Sequence, residues 1–300
     1  MKIKSVGELE FIERIKKKIP KLKSAVLGIG DDCAVLPYTD GKYLLLTTDM
    51  LLEGIHFDLS KVSAFKVGRK ALAVSLSDIA AMGGLPKYCT VSLGVPKNMP
   101  ANAPDDFYSG FLKLAKEFGV ELVGGDTNAS EKLICDICVI GEVEKKFLTR
   151  RSGAKPGDSI FVTGSLGGSI KGKQYEFMPR VRESRILVEN FKIHSMIDIS
   201  DGLSSDLYHI TDASNVGAVI YDSAIPASKD ALSKQGALSE GEDFELLFTA
   251  SSDIKEETLG ERLGMPVKEI GRIRHRREGV KIVKEKNEKT ELKKTGYRHF

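Results

Sequence analysis

Five times along this 300-residue chain, a segment of apolar or small residues runs into a hydroxyl or a glycine and then an aspartate. The instances are Gly28-Ile29-Gly30-Asp31-Asp32, Leu44-Leu45-Leu46-Thr47-Thr48-Asp49, Ala73-Val74-Ser75-Leu76-Ser77-Asp78, Leu122-Val123-Gly124-Gly125-Asp126 and Met196-Ile197-Asp198-Ile199-Ser200-Asp201. One aspartate after a strand is an ordinary turn or cap residue. Asp78 resists that reading, because it falls inside an Ala-rich helical stretch where an unpaired carboxylate is costly. Five such segments demand a fold in which several apolar elements end on one edge. Carboxylates converging there repel unless cations separate them. Hard oxygen ligands of this kind suit Mg²⁺, which commonly bridges one or two carboxylates to substrate phosphates. Thr47, Thr48 and Ser200 add neutral oxygens, and the flanking glycines let backbone N–H groups approach a phosphate. On chemistry alone the pattern points to a multi-magnesium nucleotide site.

The rest of the chain supplies two α/β halves. A capping box at Ser5-Val6-Gly7-Glu8 opens a helix, with Leu9, Ile12, Ile15 and Ile19 expected inward and Pro20 stopping it. Strand-like runs follow at 25–29, 43–47, 90–95, 121–123 and 133–143. Helical stretches lie between them at 66–82, ending at Gly83-Gly84, and at 107–118, ending at Gly119. The polar stretch 145–158 marks the boundary, so domains are expected over 1–148 and 149–300. The second half should carry strands at 159–163, 218–221, 244–249 and 267–273, and helices at 182–190 and 203–213. The tail 280–294 mixes Lys and Glu evenly and reads as a solvated surface.

Composition excludes several classes. Lys and Arg number 45 against 42 Asp and Glu, a net charge of +3 that argues against a dedicated nucleic-acid binder. No apolar run approaches the ~18–20 residues of a membrane span. Met1-Lys2-Ile3-Lys4 leads into a charged amphipathic segment and not a secretory core, so a cytoplasmic protein is expected. Cys135 and Cys138 form a lone C-x-x-C in a strand-like run, where positions three apart face opposite ways; buried free thiols are expected. Two nucleotide motifs are decoys. Gly167 and Gly172-Lys173 are followed by Gln174, which lacks the hydroxyl that a P-loop needs, and Gly28-Ile29-Gly30 is followed by Cys33 where a dinucleotide fingerprint needs its third glycine.

The chain resembles the thiamine-monophosphate kinase family, of the superfamily that includes aminoimidazole-ribonucleotide synthetase and selenophosphate synthetase. The resemblance rests on Gly28-Ile29-Gly30-Asp31-Asp32-Cys33-Ala34-Val35-Leu36, Thr47-Thr48-Asp49-Met50-Leu51-Leu52-Glu53-Gly54-Ile55-His56-Phe57, residues 70–83, Gly124-Gly125-Asp126-Thr127, residues 148–158 and 196–203, Gly241-Glu242-Asp243-Phe244-Glu245-Leu246-Leu247-Phe248 and the close Gly296-Tyr297-Arg298-His299-Phe300. It implies a two-domain α/β (α+β) fold like that of aminoimidazole-ribonucleotide synthetase, with mixed sheets packed with helices. It also implies a homodimer paired through the N-terminal domains, which carry most of the aspartates. The implied reaction is phosphorylation of thiamine monophosphate by ATP to thiamine diphosphate, with Mg²⁺ as cofactor. Carried over by position, Asp32, Thr47, Thr48, Asp49, Asp78, Asp126, Asp198 and Asp201 match metal ligands. Tyr108, Gly125, Asp126, Arg151 and Ser200 match the ATP side, and His56, Glu242 and Tyr297 the substrate side. Asp49, Asp126 and Arg151 stand nearest the chemistry, Arg151 being preferred to Arg150 because it directly precedes Ser152-Gly153.

Three departures from the family pattern stand out. Glu240 precedes Gly241 where a second glycine is common, Phe244 replaces a frequent Tyr, and 168–195 is short. Two other readings stay open, a synthetase acting on a purine intermediate and a non-catalytic nucleotide or metal sensor. A selenophosphate synthetase is disfavoured, because the only early cysteine, Cys33, lies in an apolar run and not in a glycine-rich loop.

Overall fold

The computed structural model describes residues 6–20, 22–284 and 287–299; Ser5 and Phe300, with the side chain of Leu9, lie outside the described residues. The first half runs α1 (Glu8–Lys18), β1 (Ala34–Pro37), β2 (Lys42–Leu52), α2 (Ala64–Ala81), β3 (Leu85–Pro96), α3 (Ala103–Phe118), β4 (Glu121–Ser130) and β5 (Ile134–Glu144). The second runs β6 (Ser159–Thr163), α4 (Lys173–Glu176), α5 (Val181–Asn190), β7 (Ile193–Asp198), α6 (Leu203–Ser214), β8 (Val216–Tyr221), α7 (Lys234–Ser239), β9 (Leu246–Ala250), α8 (Glu256–Leu263), β10 (Val267–His275), β11 (Val280–Val283) and β12 (Lys289–Glu291). The strands form a five-stranded sheet ordered β1-β2-β5-β3-β4 and a seven-stranded sheet ordered β12-β11-β8-β10-β6-β9-β7. Both are mixed, with β3–β4 and β8–β11 the parallel pairs.

Helix α2 organises the molecule. Ser63 caps it by accepting from Lys66 N, and Gly83 ends it in the left-handed region at φ 72°. Its residues are apolar or small on nearly every side, the signature of a helix buried all round. One side lies on α3 at a glycine-to-glycine crossing. A Cβ on Gly68 would stand 2.0 Å from the Phe107 carbonyl oxygen, and one on Gly110 would stand 1.9 Å from that of Phe65. The other sides meet the first sheet and elements of the second half, α4, α5 and β7.

Several sequence expectations change. Segment 25–29 makes only an isolated bridge, Leu27 with Val35; the strand beside β2 is β1. The side chains of Ile12, Ile15 and Ile19 are exposed and not inward. The tail is no solvated surface. Val280, Ile282 and Leu292 are buried, and β11 and β12 extend the second sheet. A period of two puts Val280 and Ile282 on the core face and Lys281 outward, an alternation hidden by the even mixture of charge. Strand β9 starts at Leu246, since Phe244 has φ 51°, outside the strand region.

The outer face of the first sheet is left uncovered. Register places Leu46, Ile140 and Tyr88 in one row, and Met50, Asp136, Ser92 and Asp126 in another. Leu46, Met50, Tyr88 and Ile140 are exposed there. Among the described residues no helix is long and apolar enough to cross a membrane.

Candidate active site

Three of the expected aspartates meet where the halves join. Carboxylate oxygens of Asp32, before β1, Asp78, in the last turn of α2, and Asp198, at the end of β7, all lie within 4.8 Å of one another. Each has a support. Thr47 donates to Asp78, Ser77 Oγ donates to Asp198 Oδ2 at 2.6 Å, and the Arg151 guanidinium donates to Asp32 Oδ1 at 2.6 and 3.2 Å. Asp49, on β2, accepts from Ser75 Oγ at 2.7 Å. Ser75 and Ser77 are two residues apart on α2, about 200° around the helix, so one serves the first half and the other the second. Burial raises every carboxyl in this group: Asp49 to about 6, Asp198 to about 8, Asp32 and Asp78 in the same direction; repulsion from neighbouring carboxylates adds to it at Asp49, Asp78 and Asp198, while Arg151 opposes it at Asp32. Neighbouring Asp31 is pushed up to about 7, by burial first and Asp32 second. Burial opposes the charge of Arg151, but Asp32 and Asp31 more than restore it and its pKa is raised.

Asp32 Oδ2 is buried and has no hydrogen-bond partner. An orphaned anionic oxygen facing two further carboxylates is costly unless a cation completes it. The donor set is all oxygen, as hard divalent cations require, and the residues therefore fit Mg²⁺.

Beside this group opens a cavity of about 830 Å³, walled by Thr48, Asp49, Ser200, Asp201, Glu242 and Tyr297, with His56 and His299 also on its wall. His56 Nδ1 accepts from Leu52 N at 3.0 Å, and its ring stands edge-on to His299 at 5.2 Å. Burial first, then His299 and Lys70, lower its pKa to about 4, so the ring is neutral at pH 7. Tyr297 packs edge-on against His299 at 5.0 Å, and its backbone N donates to the Asp201 carbonyl. Glu242 adopts φ 64° and pairs with Lys70 at 2.5 Å. At Glu240 the backbone is ordinary at φ −74°, so no second glycine is needed, and its carboxylate accepts from Gly168 N.

The other expected site residues do not join the three carboxylates, although Thr48 and Asp201 reach the cavity wall. Thr48 points to the outer face of the sheet and donates to Asp136 at 2.8 Å. Asp126 shares that face, three strands from β2, roughly 14 Å at the usual ~4.8 Å spacing. Gly125, beside it, has a reason internal to the sheet, because a Cβ would meet the Val91 carbonyl oxygen at 2.0 Å. Tyr108, on α3, has its ring edge-on to Phe107 and Phe111 and does not line this cavity. Asp201 groups instead with Asp206 and His209. Arg150 is exposed, whereas Arg151 reaches the carboxylates. Sequence reasoning missed the supporting roles of Ser75, Ser77 and Asp136, and missed Lys70 altogether. The P-loop decoy is accounted for by Lys173, whose ammonium donates to the Ser165 carbonyl and to Glu245. Cys135 faces inward and Cys138 outward, both free thiols.

Fold and site together define a two-domain protein of the AIR synthase related type. Residues 30–143 match the family model for the AIR synthase related protein, N-terminal domain, and residues 155–284 match that for the C-terminal domain. The chain is 36% identical over 327 aligned residues to the thiamine-monophosphate kinase of Bacillus subtilis (strain 168), covering 98% of this chain and 100% of that one. It is 35% identical to that of Aquifex aeolicus (strain VF5), with 100% of both chains covered. A solved structure described as AaThiL complexed with AMPPCP and TMP superposes with a TM-score of 0.86 at 31% identity, covering 100% of this chain and 99% of that one. This chain belongs to the thiamine-monophosphate kinase family.

Proposed function

We propose that the protein transfers the γ-phosphoryl group of ATP to thiamine monophosphate, giving thiamine diphosphate and ADP. The observation that carries this reading is the orphaned Asp32 oxygen and its converging carboxylates beside a cavity walled by His56, Glu242 and Tyr297. The full-length relatives named for this activity, and the related structure holding an ATP analogue and TMP, support the same substrates.

The chemistry needs no general base. The acceptor is a phosphate monoester whose second pKa is about 6, so it is largely deprotonated at neutral pH. Its oxygen attacks the γ-phosphorus as the bond to the ADP oxygen breaks, in line and without a phospho-enzyme. The obstacle is repulsion between polyanions, about 4 kcal/mol per pair of unit charges at ~4 Å and an effective dielectric of 20. Asp32, Thr47, Asp49, Asp78 and Asp198, with Asp201, would hold Mg²⁺. Bound there, the ions supply the positive charge that lets phosphates approach these carboxylates. Arg151 adds a fixed cation, Ser200 a hydroxyl at the nucleotide side, and Tyr297 a ring face for the thiazolium. Glu242 supplies the anionic partner and His56 a neutral imidazole.

We read the remaining members of the set, Thr48, Tyr108, Gly125 and Asp126, as contributions across a homodimer built on the uncovered sheet face. The apolar row Leu46, Ile140 and Tyr88 supports this reading. Ile140→Glu should then convert the protein to monomers in sedimentation equilibrium. A wild-type profile would remove the sheet face from the interface. Domains over 1–148 and 149–300, and a cytoplasmic location suited to four free cysteines, belong to the same proposal.

The function is tested by incubating the protein with ATP, Mg²⁺ and thiamine monophosphate and resolving thiamine diphosphate and ADP by chromatography. Stoichiometric appearance of both is expected. No product at saturating Mg²⁺ would overturn the assignment.

A further inference from the structure

We propose that Lys70 is a positioning residue for substrate recognition, acting through Glu242 on the cationic ring system of the acceptor, an inference that rests on the kinase reading above. Lys70 is completely buried in α2. Its ammonium donates to Glu242 Oε1 at 2.5 Å, Gln174 Oε1 at 2.6 Å and the His56 carbonyl at 2.9 Å, and it lies 5.1 Å from the centre of the Tyr175 ring. An ammonium has three donors, and all three are used. Lys70 therefore has no hydrogen left for a phosphate or a ring.

Two costs meet at this contact. Burying an ammonium forfeits its solvation. Glu242 sits at φ 64°, a left-handed conformation that is unfavourable for a residue with a side chain. A methionine would fill the same volume in an apolar helix without the first cost. The cation is thus explained by what it holds. It ties down two wall segments of the cavity from beneath, the loop carrying His56 in the first half and the loop carrying Glu242 in the second. Both residues line the 830 Å³ cavity and a second one of about 620 Å³ beside it. The Glu242 side chain remains 29% exposed, with one oxygen fixed on Lys70 and the other available to a cationic or amino-bearing ring. Lys70 fixes where that oxygen points.

A double-mutant cycle tests the inference, with Glu242→Gln chosen because its amide oxygen still accepts from Lys70. Lys70→Met should raise KM for thiamine monophosphate about tenfold, and the calorimetric Kd for thiamine monophosphate without nucleotide equally, with KM for ATP changed less than about twofold. In the Glu242→Gln background the same substitution should add less than about twofold. Equal factors in both backgrounds, or parallel changes in both KM values, would overturn the proposal. Lys70→Arg keeps the charge with a fork that does not match three convergent acceptors. Run through the same cycle, it should give a smaller rise with the same non-additivity, and it decides the matter if Lys70→Met does not fold. A wild-type protein that makes no thiamine diphosphate defeats the kinase reading itself. An active wild type with an additive cycle defeats only the role of Lys70.

Discussion

Asp78→Asn is expected to lower kcat on the order of a thousandfold while raising the melting temperature of the metal-free protein. The two effects have one cause. Asp78 lies in the last turn of a buried helix, with Asp32 and Asp198 oxygens within 4.8 Å, and burial and its neighbours both push its pKa well up. Ionised, it strains the apoprotein. Paired with magnesium, the same charge holds the ion that lets two polyanions meet. Asparagine keeps the shape, retains an oxygen for the Thr47 hydroxyl and has a helix propensity close to that of aspartate. What it removes is the capacity to ionise, which the folded metal-free protein must suppress and which a bound cation would need. Differential scanning calorimetry in EDTA should show the variant melting above wild type, and the stabilisation that Mg²⁺ gives wild type should shrink in the variant. Turnover near wild type, or a lower melting temperature in EDTA, would show that Asp78 is a structural residue and not part of a cation site.

The aspartates were legible because each closes a short local pattern, and local patterns survive in a one-dimensional reading. Their convergence was legible only as far as strand ends share an edge. Asp198 obeys that rule at the end of β7, whereas Asp32 comes in from the turn before β1 and Asp78 from the last turn of a helix. Asp126 does not obey it, because β4 is the far edge of the sheet and the pleat turns its side chain to the outer face. Ser75 and Ser77 were visible as hydroxyls before Asp78, yet their partners lie on β2 and β7, and nothing local says that one helix runs between those strands. Lys70 was illegible for a stronger reason. A lysine in an Ala-rich helix ordinarily faces solvent, and its burial comes from Gln174 and Glu242, more than a hundred residues away. The tail failed through averaging, since even mixing of Lys and Glu concealed the alternation of Val280 and Ile282.

Without magnesium, the protein should lose stability as pH rises from about 5 to 8.5, opposite to the usual behaviour of carboxylates, whose native pKa values are commonly depressed. Asp49 is raised to about 6, Asp31 to about 7 and Asp198 to about 8, against about 3.9 in an unfolded chain. A carboxyl that binds its proton more tightly when folded stabilises the fold fully below the unfolded pKa. That contribution disappears as pH climbs through the folded values, here between about 6 and 8. Even ~2 kcal/mol lost in this way lowers the melting temperature by roughly 4–8 °C for halves of this size. Protons and Mg²⁺ compete for the same oxygens, so the stabilisation by Mg²⁺ should be small at pH 5 and grow steadily to pH 8.5. Melting curves in EDTA and in Mg²⁺ across that range measure both trends. A flat or rising melting temperature in EDTA would contradict the burial of these carboxylates, and a magnesium effect independent of pH would place the ion away from them. Asp78→Asn supplies the internal control. Asp49, Asp198 and Asp32 push Asp78 up and it keeps its proton while they titrate, so the decline in EDTA between about pH 6 and 8 should persist in the variant.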